Sequence, residues 1–395
     1  MIASQKHPLP GKLLCEFFAG IGLVGEGLRA SGWRCVYAND IDEKNRQLYE
    51  SLNGASNHFH LEDVRNTTVI CDSISEAPFL ATASFPCVDL SLAGNYHGFA
   101  GKHSSTFFAF ADVLEALGDR RPSLVMLENV LGFVASREGK DFESATQRLA
   151  SLGYFLDAFL LDAKHFVPQS RPRVFVVGMR KEILPRARMK ARLFAEPTAG
   201  SLRPQKLIDV MRRIPLQTGW HALDLPDPPR RRITLDAVID TDDSQDWWSE
   251  FEVTRHAEML SELHRNRLGE ILESGGRGVY TAFRRIRHGR QRAEVRFDGL
   301  AGCLRTPKGG SAKQIVLFCD RGKLRMRWMS PMEYARLQGI DRFPLSVGTK
   351  NQQLYGFGDA VCVPAIAWID KVVLTPIFEL ARSNGGVSID QPPQC

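Results

Sequence analysis

The sequence predicts an α/β protein with a doubly wound, mostly parallel, Rossmann-like sheet and a smaller, irregular second domain. Up to about residue 180, short apolar runs alternate with helix-like stretches, and polar or glycine residues follow most of the runs. Beyond that point the alternation gives way to Pro, Arg and acidic clusters. Alternating strands and helices are typical of a parallel sheet covered by helices. The 395 residues, 44% of them hydrophobic and 24% charged, are enough for two domains.

The predicted elements follow one another as strand, turn and helix. A glycine-rich turn joins the first strand to the first helix, and an Asn-Asp pair ends the second strand. In open parallel sheets ligands bind at the carboxyl ends of the strands, so we expect the functional site at that edge. The predicted strands are residues 12–17, 34–38, 58–61, 80–84, 124–127, 155–161 and 174–178, and the first two helices are residues 23–30 and 43–52.

The change in pattern also predicts where the domains divide. Residues 1–181 form the predicted sheet domain, and residues 182–310 form the second domain. Apolar periodicity returns in residues 311–383, which we expect to pack back on the first domain. Residues 384–395 are predicted to be a loose tail.

Composition excludes several classes of protein. The eight cysteines form no Cys-x-x-Cys pair, which argues against a zinc site or a small disulfide scaffold and favours a reducing cytosol. No stretch approaches the roughly 20 continuous apolar residues of a membrane helix. The first 12 residues lack the apolar core of a signal peptide. We therefore expect no metal, no membrane partner and a location where the chain is made.

The turn after the first strand carries the pattern G-x-G-x-x-G at Gly20, Gly22 and Gly25. Asp40 follows Gly20 by twenty residues at the end of the next strand, and Asp63 ends the third. Glycines let a backbone approach a ligand, and a carboxylate binds ribose hydroxyls. The pattern predicts a nucleotide cofactor, either a dinucleotide or S-adenosylmethionine. A tight glycine turn without a ligand is the alternative.

A cysteine follows the fourth predicted strand. An isolated cysteine is usually an inert, buried hydrophobe. Cys87 differs because it follows Pro86 on a loop at the same edge as the glycine turn, and Glu128 lies at the next strand end. A thiolate near a carboxylic acid that can donate a proton is an arrangement for covalent catalysis.

Together these motifs resemble those of the DNA cytosine-5 methyltransferases, in particular the compact bacterial members of restriction–modification systems. The resemblance covers both ends of the chain and leaves out mainly residues 182–300. The similar segments are Phe-Ala-Gly-Ile-Gly at 18–22, Asn-Asp-Ile-Asp at 39–42, Asp-Val at 63–64, Phe-Pro-Cys at 85–87, Glu-Asn-Val at 128–130, Gln-Ser-Arg-Pro-Arg at 169–173, the run 327–339 and Gly-Asp-Ala-Val at 358–361.

The resemblance implies methyl transfer to C5 of a cytosine flipped out of a specific double-stranded DNA sequence. In that reaction the Cys87 thiolate adds to C6 and makes C5 nucleophilic. Glu128, with its pKa raised by burial, protonates or hydrogen-bonds N3. Arg173 contacts the ring oxygen, and Arg171 supports the loop or a phosphate. The glycine-rich residues 94–101 either close over the base or form an ordinary loop.

The resemblance also implies that the cofactor is S-adenosylmethionine. Phe18 is expected near the adenosine and Asp40 on the ribose, while Ile41 packs on the adenine and Asp63 reaches its amino group. One position departs from the family pattern, since Asp359 replaces an asparagine and its charge would repel a cofactor carboxylate. The remaining expected cofactor residues are Ala19, Gly20, Gly22, Val64 and Pro86.

A basic segment indicates where DNA binds. Residues 275–296 contain seven arginines against one acid, Glu294. Such density suits phosphate contacts, although a solvated charged face is the usual explanation of a charge run. The resemblance places the target-recognition domain here, so we expect Arg284, Arg285 and Arg287 to bind DNA, with Arg305 near the backbone.

The partners and the alternatives follow from the same resemblance. We expect a monomer in the bacterial cytoplasm that acts on double-stranded DNA, and we consider as a partner a restriction endonuclease that acts on the same site without a stable complex. Three other functions remain open. They are a tRNA methyltransferase of the same fold, a nicotinamide oxidoreductase that leaves Cys87 unexplained, and a DNA-binding module without catalysis.

Overall fold

The computed structural model describes residues 11–86, 106–183, 197–287, 289–306 and 312–385, except for the side chains of Arg287 and residues 383–385. Three features of the sequence analysis lie outside these residues. They are the predicted nucleophile Cys87, the glycine-rich residues 94–101 and residues 386–395 of the predicted tail.

A seven-stranded sheet forms the centre of the first part of the chain, with strand order β3-β2-β1-β4-β5-β7-β6. Strands β1 to β5 pair in parallel. The predicted α/β class with a mostly parallel sheet is therefore confirmed. The strands are β1 (Leu13–Phe17), β2 (Arg34–Asp40), β3 (Phe59–Leu61), β4 (Leu80–Ala83), β5 (Leu124–Val130), β6 (Tyr154–Asp162) and β7 (Pro172–Arg180).

One strand departs from the parallel arrangement. Strand β7 lies between β5 and β6 and runs antiparallel to both. Its pairing extends β5 past the predicted end at residue 127, so that Glu128 and Asn129 lie within the strand and not after it. The sheet thereby brings side chains from residues 128 and 173, distant in sequence, to adjacent strands.

Helices cover both faces of the sheet. Successive side chains of a strand point to opposite faces, so Leu14 and Leu80 join one buried core while Cys15 and Ala81 join the other. The sheet is thus a layer between two layers of helices. The helices are Leu23–Arg29, Glu43–Asn53, Thr67–Ser73, Thr106–Ala116, Gly132–Ala135, Lys140–Ser151, Gln205–Arg213, Glu250–Ala257, Glu262–Glu273, Pro331–Leu337, Lys350–Asp359, Val363–Ile369 and Thr375–Gly385, with a π-helical turn at Asp370–Leu374 and 3-10 turns at Gly118–Arg120, Ser136–Gly139 and Ala163–His165.

A second, four-stranded antiparallel sheet has the order β11-β10-β8-β9. It consists of β8 (Gly278–Arg287), β9 (Arg290–Arg296), β10 (Gln314–Asp320) and β11 (Lys323–Trp328). The predicted domain boundary at residue 310 falls between strands of this sheet. Apolar periodicity places β10 and β11 in the predicted C-terminal segment, residues 311–383, but in the structure β10 pairs with β8 and β11 pairs with β10.

The C-terminal helices lie against the large sheet. Helix Leu23–Arg29 packs on helix Val363–Ile369, and a Cβ atom added at Gly27 would lie 2.7 Å from the Ile366 Cβ. The stretch Lys350–Arg382 is long and apolar enough to cross a membrane by length and composition alone. However, 56% of its most apolar 18-residue part is buried inside the protein. Its apolar side chains, among them Ile366, Ile369 and Val373, belong to the core.

A buried ion pair joins the small sheet to the following helix. Arg327 on β11 and Glu333 on helix Pro331–Leu337 have side chains that are 1% and 0% exposed. Nη1 of Arg327 lies 2.8 Å from Oε2 of Glu333, and Nη2 donates to the other carboxylate oxygen and to the Asp240 carbonyl. Burying both charges costs desolvation, which this close geometry offsets. The pair therefore fixes how the small sheet meets the helix.

Removing one partner of this pair should destabilise the fold. In Glu333→Ala the Arg327 guanidinium stays buried without a counter-charge, so we expect the free energy of unfolding to fall by about 3–5 kcal/mol. Urea unfolding measures the change. The control is Asp243→Ala, which breaks the pair between an exposed carboxylate and Arg325 on the same strand. Exposed pairs contribute little, so equal losses in the two variants would contradict the proposed weight of the buried pair.

Candidate active site

The glycine loop after β1 forms one wall of a cleft. Phe18 and Gly20 both have φ 55°, and Gly22 has φ 82°, a left-handed conformation that favours glycine. A Cβ atom at Gly20 would meet nothing within 4 Å, whereas one at Gly22 would lie 2.6 Å from the Tyr49 ring. The backbone of Gly20 is therefore open to a ligand, while Gly22 is required by packing against the protein itself.

Asp40 at the end of β2 is held against this loop. Its Oδ2 accepts from the Gly20 backbone N at 2.9 Å, and its Oδ1 accepts from the Asp42 backbone N at 2.9 Å and from Asn45 Nδ2 at 3.2 Å. Burial raises the pKa of the Asp40 carboxyl against the lowering effect of these hydrogen bonds. The loop and the carboxylate thus form one rigid unit.

The cleft has a volume of about 720 Å³ and opens at the carboxyl ends of the parallel strands. Gly22 is not among the predicted cofactor residues that line it. Ile41 lines the cleft with 69% of its surface exposed, and Asp63 pairs with Arg65 at 2.9 Å. The predicted site residues that line the cleft are Phe18, Ala19, Gly20, Asp40, Ile41, Asp63, Val64, Pro86, Glu128, Arg171, Arg173 and Asp359.

Glu128 and Arg173 form an ion pair in this cleft. Nε of Arg173 lies 2.8 Å from Oε1 of Glu128, and their side chains are 13% and 9% exposed. In the antiparallel register Val130 faces Arg173 and Glu128 faces Phe175, so the two charged side chains are diagonal neighbours on one face of the sheet. The register of β7 therefore brings together two residues that the sequence analysis predicted as catalytic.

Arg171 differs from Arg173 in being almost completely buried. Its Nη1 donates to the Leu304 carbonyl at 2.8 Å, and its Nη2 donates to the carbonyls of Gly358 and Ala360 at 3.2 and 2.6 Å. Burial and then the charge of Arg173 lower its pKa. These contacts join three segments of the protein chain, and the expected role of Arg171, support of the loop or of a phosphate, stays a prediction.

Cys303 belongs to the same cluster, although the sequence analysis counted it among the inert cysteines. Its Sγ lies 3.5 Å from Nη1 of Arg171 and 3.9 Å from both terminal nitrogens of Arg173. Burial acts to raise the pKa of the thiol, but the charges of Arg171 and Arg173 outweigh it and lower the pKa. Only the neighbouring Arg305 in the sequence hints at this basic environment.

Glu16 is a second cleft residue that the sequence analysis missed. It is a buried acid on β1, one residue before Phe17, and it lines the cleft. Its Oε2 accepts from the Gly25 backbone N at 3.2 Å, and its Oε1 has no hydrogen-bond partner among the described residues. Burial raises the pKa of this carboxyl to about 8. An acid within an otherwise apolar strand was the available indication.

The predicted DNA-binding arginines lie in different surroundings. Arg284 stacks over the Trp328 ring with Cζ 4.9 Å from its centre, and burial lowers the pKa of Arg284. Arg285 forms a two-fold hydrogen-bonded pair with Glu294. Arg305 is exposed beside the cleft residue Thr306, and the side chain of Arg287 is outside the described part.

No group of three or more His, Cys, Asp or Glu residues that could hold a metal ion occurs within the described ranges. His58 bonds to the Tyr49 hydroxyl at 2.9 Å, and His60 stacks on the Tyr37 ring. Trp248 stacks on His256 with ring centres 4.2 Å apart. These side chains take part in packing and hydrogen bonding within the protein.

The chain is similar to known sequences along most of its length. A sequence model of the C-5 cytosine-specific DNA methylases matches residues 14–374. The DNA-cytosine methyltransferase of Escherichia coli strain K12 is 31% identical over 211 residues, which span 45% of this chain and 44% of that protein. This chain thus covers less than half of that relative. The type II methyltransferase M.HpaII of Haemophilus parainfluenzae is 24% identical over 386 residues, 92% of this chain and 90% of the relative.

Solved structures share the fold. The Schizosaccharomyces pombe Dnmt2 methyltransferase superposes with a TM-score of 0.57 at 18% identity, covering 92% of this chain and 99% of that structure. A mutant of Spodoptera frugiperda DNMT2 superposes with a TM-score of 0.59 at 16% identity, covering 93% and 99%. At such identities the likeness concerns the fold alone.

The raised pKa of Glu16 should make stability depend on pH. The folded protein keeps a proton on this carboxyl up to about pH 8, whereas the unfolded chain loses it near the ordinary pKa of 4.5. Stability should therefore fall as pH rises from about 4.5 to about 8, by a few kcal/mol at roughly 1.4 kcal/mol per pKa unit, and then level off. Urea unfolding between pH 5 and pH 8 should show a flatter profile for Glu16→Gln.

Glu76→Gln is the control for this pH profile, because Glu76 is an exposed carboxyl paired with Arg34 on the neighbouring strand. Its profile should follow that of the unmodified protein. A Glu16→Gln profile that falls as steeply as the unmodified one would contradict the assignment of the proton to Glu16.

Proposed function

Because the chain belongs to the C-5 cytosine-specific DNA methylase family, we propose that it transfers a methyl group from S-adenosylmethionine to C5 of a cytosine in a specific double-stranded DNA sequence. The observation that carries this proposal is the single cleft shared by the glycine loop, Asp40 and the Glu128–Arg173 pair. A cofactor bound at the loop and a base bound at the ion pair would meet in that space.

The cleft residues fit S-adenosylmethionine. The open backbone at Gly20 leaves room for a ligand, and the anchored carboxylate of Asp40 offers acceptors for ribose hydroxyls. Phe18, Ile41 and Asp63 would hold the adenosine. When bound, the cofactor supplies an electrophilic methyl group on a sulfonium. Asp359 lines the same cleft and keeps a carboxylate where the family has an amide.

In the proposed reaction Cys87 is the nucleophile. Its thiolate adds to C6 of cytosine, and the electron pair of the C5–C6 bond then makes C5 an enamine carbon able to accept the methyl group. Pro86, the residue before it, lines the cleft. After transfer, a base removes the C5 proton, the C5–C6 double bond forms again and the thiolate leaves.

Glu128 and Arg173 would stabilise the ring while Cys87 is attached. Charge builds on N3 and on the ring oxygen during addition, so a proton donor at N3 and a cation at the oxygen both lower the barrier. The Glu128–Arg173 ion pair supports a shared site because each partner fixes the orientation of the other, and Glu128 must take up a proton before it can donate to N3. Their low exposure keeps competing water away from these groups.

The wider setting is proposed on the same basis. Stacking covers C6 inside a duplex, so the target cytosine must be flipped into the cleft. The type II methyltransferases among the relatives support a place in a restriction–modification system, with an endonuclease that acts on the same site without a stable complex. We propose that the protein works as a monomer in the bacterial cytoplasm.

Methylation of plasmid DNA tests the reaction. The purified protein, S-adenosylmethionine and unmethylated bacterial plasmid should give 5-methylcytosine at one short motif, located by sequencing. Cys87→Ala should lower turnover on the order of 10³-fold or more, since it removes the nucleophile while the cleft can still bind ligands. Methylation of transfer RNA with no methylation of plasmid would instead favour the RNA substrate.

Two measurements serve as controls for this test. Cys87→Ser should retain binding of S-adenosylmethionine and DNA but lose the covalent adduct with DNA that contains 5-fluorocytosine. The unmodified protein should bind NAD only weakly, and tight NAD binding would favour an oxidoreductase. Turnover by the Cys87→Ser variant at the unmodified rate would overturn the nucleophile assignment.

Arg290 and Arg292 are exposed at the end of the β8–β9 hairpin, and we expect them to bind DNA phosphates. The double variant Arg290→Gln and Arg292→Gln should bind DNA more weakly, and the slope of log affinity against log salt should flatten by about 0.9 for each phosphate that is no longer neutralised. Fluorescence anisotropy across a salt series measures this slope. The matched control is Arg212→Gln with Arg213→Gln, an equal charge change at the end of helix Gln205–Arg213. Equal slopes in both double variants would move the DNA elsewhere.

A further inference from the structure

The β8–β9 hairpin projects beyond the small sheet. Pairing of β8 with β10 ends at Phe283, opposite Gln314, whereas pairing of β8 with β9 continues to Arg287, opposite Arg290. Residues 284–287 and 290–293 therefore form a two-stranded ribbon, which a third segment of the described chain meets only at the bridge between Leu260 and Ala293. The major groove of B-DNA admits a two-stranded ribbon of this kind. We call these residues the ribbon.

The two sides of the β8–β9 hairpin carry different chemistry because side chains alternate along a strand. On one side Arg284 packs over Trp328, and Ala282 and Ala293 enter the small core beneath helix Glu262–Glu273. On the other side lie Phe283, Arg285 and Glu294, with the Arg285 guanidinium 5.7 Å from the Phe283 ring centre. Adjacent arginines in the sequence thus face opposite ways.

The side that carries Arg285 lies near Arg171 and Arg173 in the cleft. A Cβ atom at Gly302 would lie 3.4 Å from Cδ1 of Phe283, so the chain at residue 302 passes close to the base of the ribbon. The next residue, Cys303, contacts Arg171 and Arg173 through its sulfur. A short series of contacts therefore leads from the cleft to the Arg285–Glu294 pair.

We propose that Arg285 and Glu294 together read one G·C base pair beside the target cytosine from the major groove. This inference rests on the proposed function. Guanine presents two acceptors, N7 and O6, that match the two donors of an arginine fork, and cytosine presents the N4 amino donor that a glutamate accepts. The Arg285 guanidinium and the Glu294 carboxylate lie side by side. In the major groove the acceptors of guanine and the amino donor of cytosine also lie side by side.

The same two side chains, Arg285 and Glu294, would not bind an A·T pair. Adenine places its N6 amino donor where guanine has O6, so the arginine fork would meet a donor, and thymine has no amino group for Glu294. The side chains of Arg285 and Glu294 are 39% and 27% exposed. Because both side chains are partly exposed, they can break their hydrogen bonds to each other and bind a base pair without the desolvation cost of a buried charge. Until then, each carries hydrogen bonds that orient the other.

Sequencing of the methylated sites tests this assignment. A plasmid library with random bases around cytosines is methylated by the unmodified protein, by Glu294→Gln and by Arg285→Gln. The unmodified protein should require a G·C pair at one position next to the target. Both variants should relax the requirement at that same position, by roughly 5- to 150-fold in relative rate, and leave the other positions selective.

The control variant is Asp298→Asn, which removes the partner of Arg296 at the opposite end of β9 and should keep the full motif. S-adenosylmethionine affinity verifies that each variant is folded. If Glu294→Gln and Arg285→Gln methylate only the motif of the unmodified protein, at any overall rate, the inference is wrong while the proposed function stands. If the unmodified protein with bound cofactor methylates no DNA, the proposed function and this inference both fail.

Discussion

The guanidinium of Arg171 is the contact on which the arrangement of the cleft depends. It follows the turn before β7 and donates to carbonyls of residue 304 and of residues 358 and 360. These acceptors belong to segments that are more than 130 residues away along the chain. If Arg171 were replaced by a smaller residue, each carbonyl would lose a charge-assisted hydrogen bond. Because the arginine is almost completely buried, water could not replace that bond. One side chain thereby joins three parts of the protein: the large sheet at β7, the segment at Leu304 and the end of helix Lys350–Asp359.

Much of the fold could be predicted because its signals are local. The glycine loop, the acids that end β2 and β3, and the apolar strands each depend on residues close in sequence, and the structure has them in the expected order. The insertion of β7 between β5 and β6 could not be predicted in this way. Its apolar residues suit either a parallel or an antiparallel neighbour, and only the pairing decides that Arg173 meets Glu128.

Residues missed by the sequence analysis share a physical reason. Apart from Arg305, no residue near Cys303 in sequence indicates its basic environment, which comes mainly from two arginines about 130 residues earlier. Glu294 counted only as the single acid among seven arginines, yet it pairs with one of them across the hairpin. A charge run has no direction until strand register assigns each side chain to a face, which is why Arg284 and Arg285 seemed equivalent.

In the proposed function, the segment from residue 301 to 304 would connect DNA recognition with catalysis. Both ends of this segment bond to residues that precede β7. The Leu304 backbone N donates to Gln169 Oε1 at 3.1 Å, and the Ala301 carbonyl accepts from the Ser170 backbone N at 3.0 Å. Between these two residues, Gly302 lies close to Phe283 at the base of the ribbon. Close-packed contacts transmit displacement because they leave no free space to absorb it. In the proposed reaction, a ribbon that lies wrongly on a mismatched base pair would displace the segment that contacts Arg171 and Arg173. Sequence recognition and the placement of these two arginines would then depend on the same few contacts.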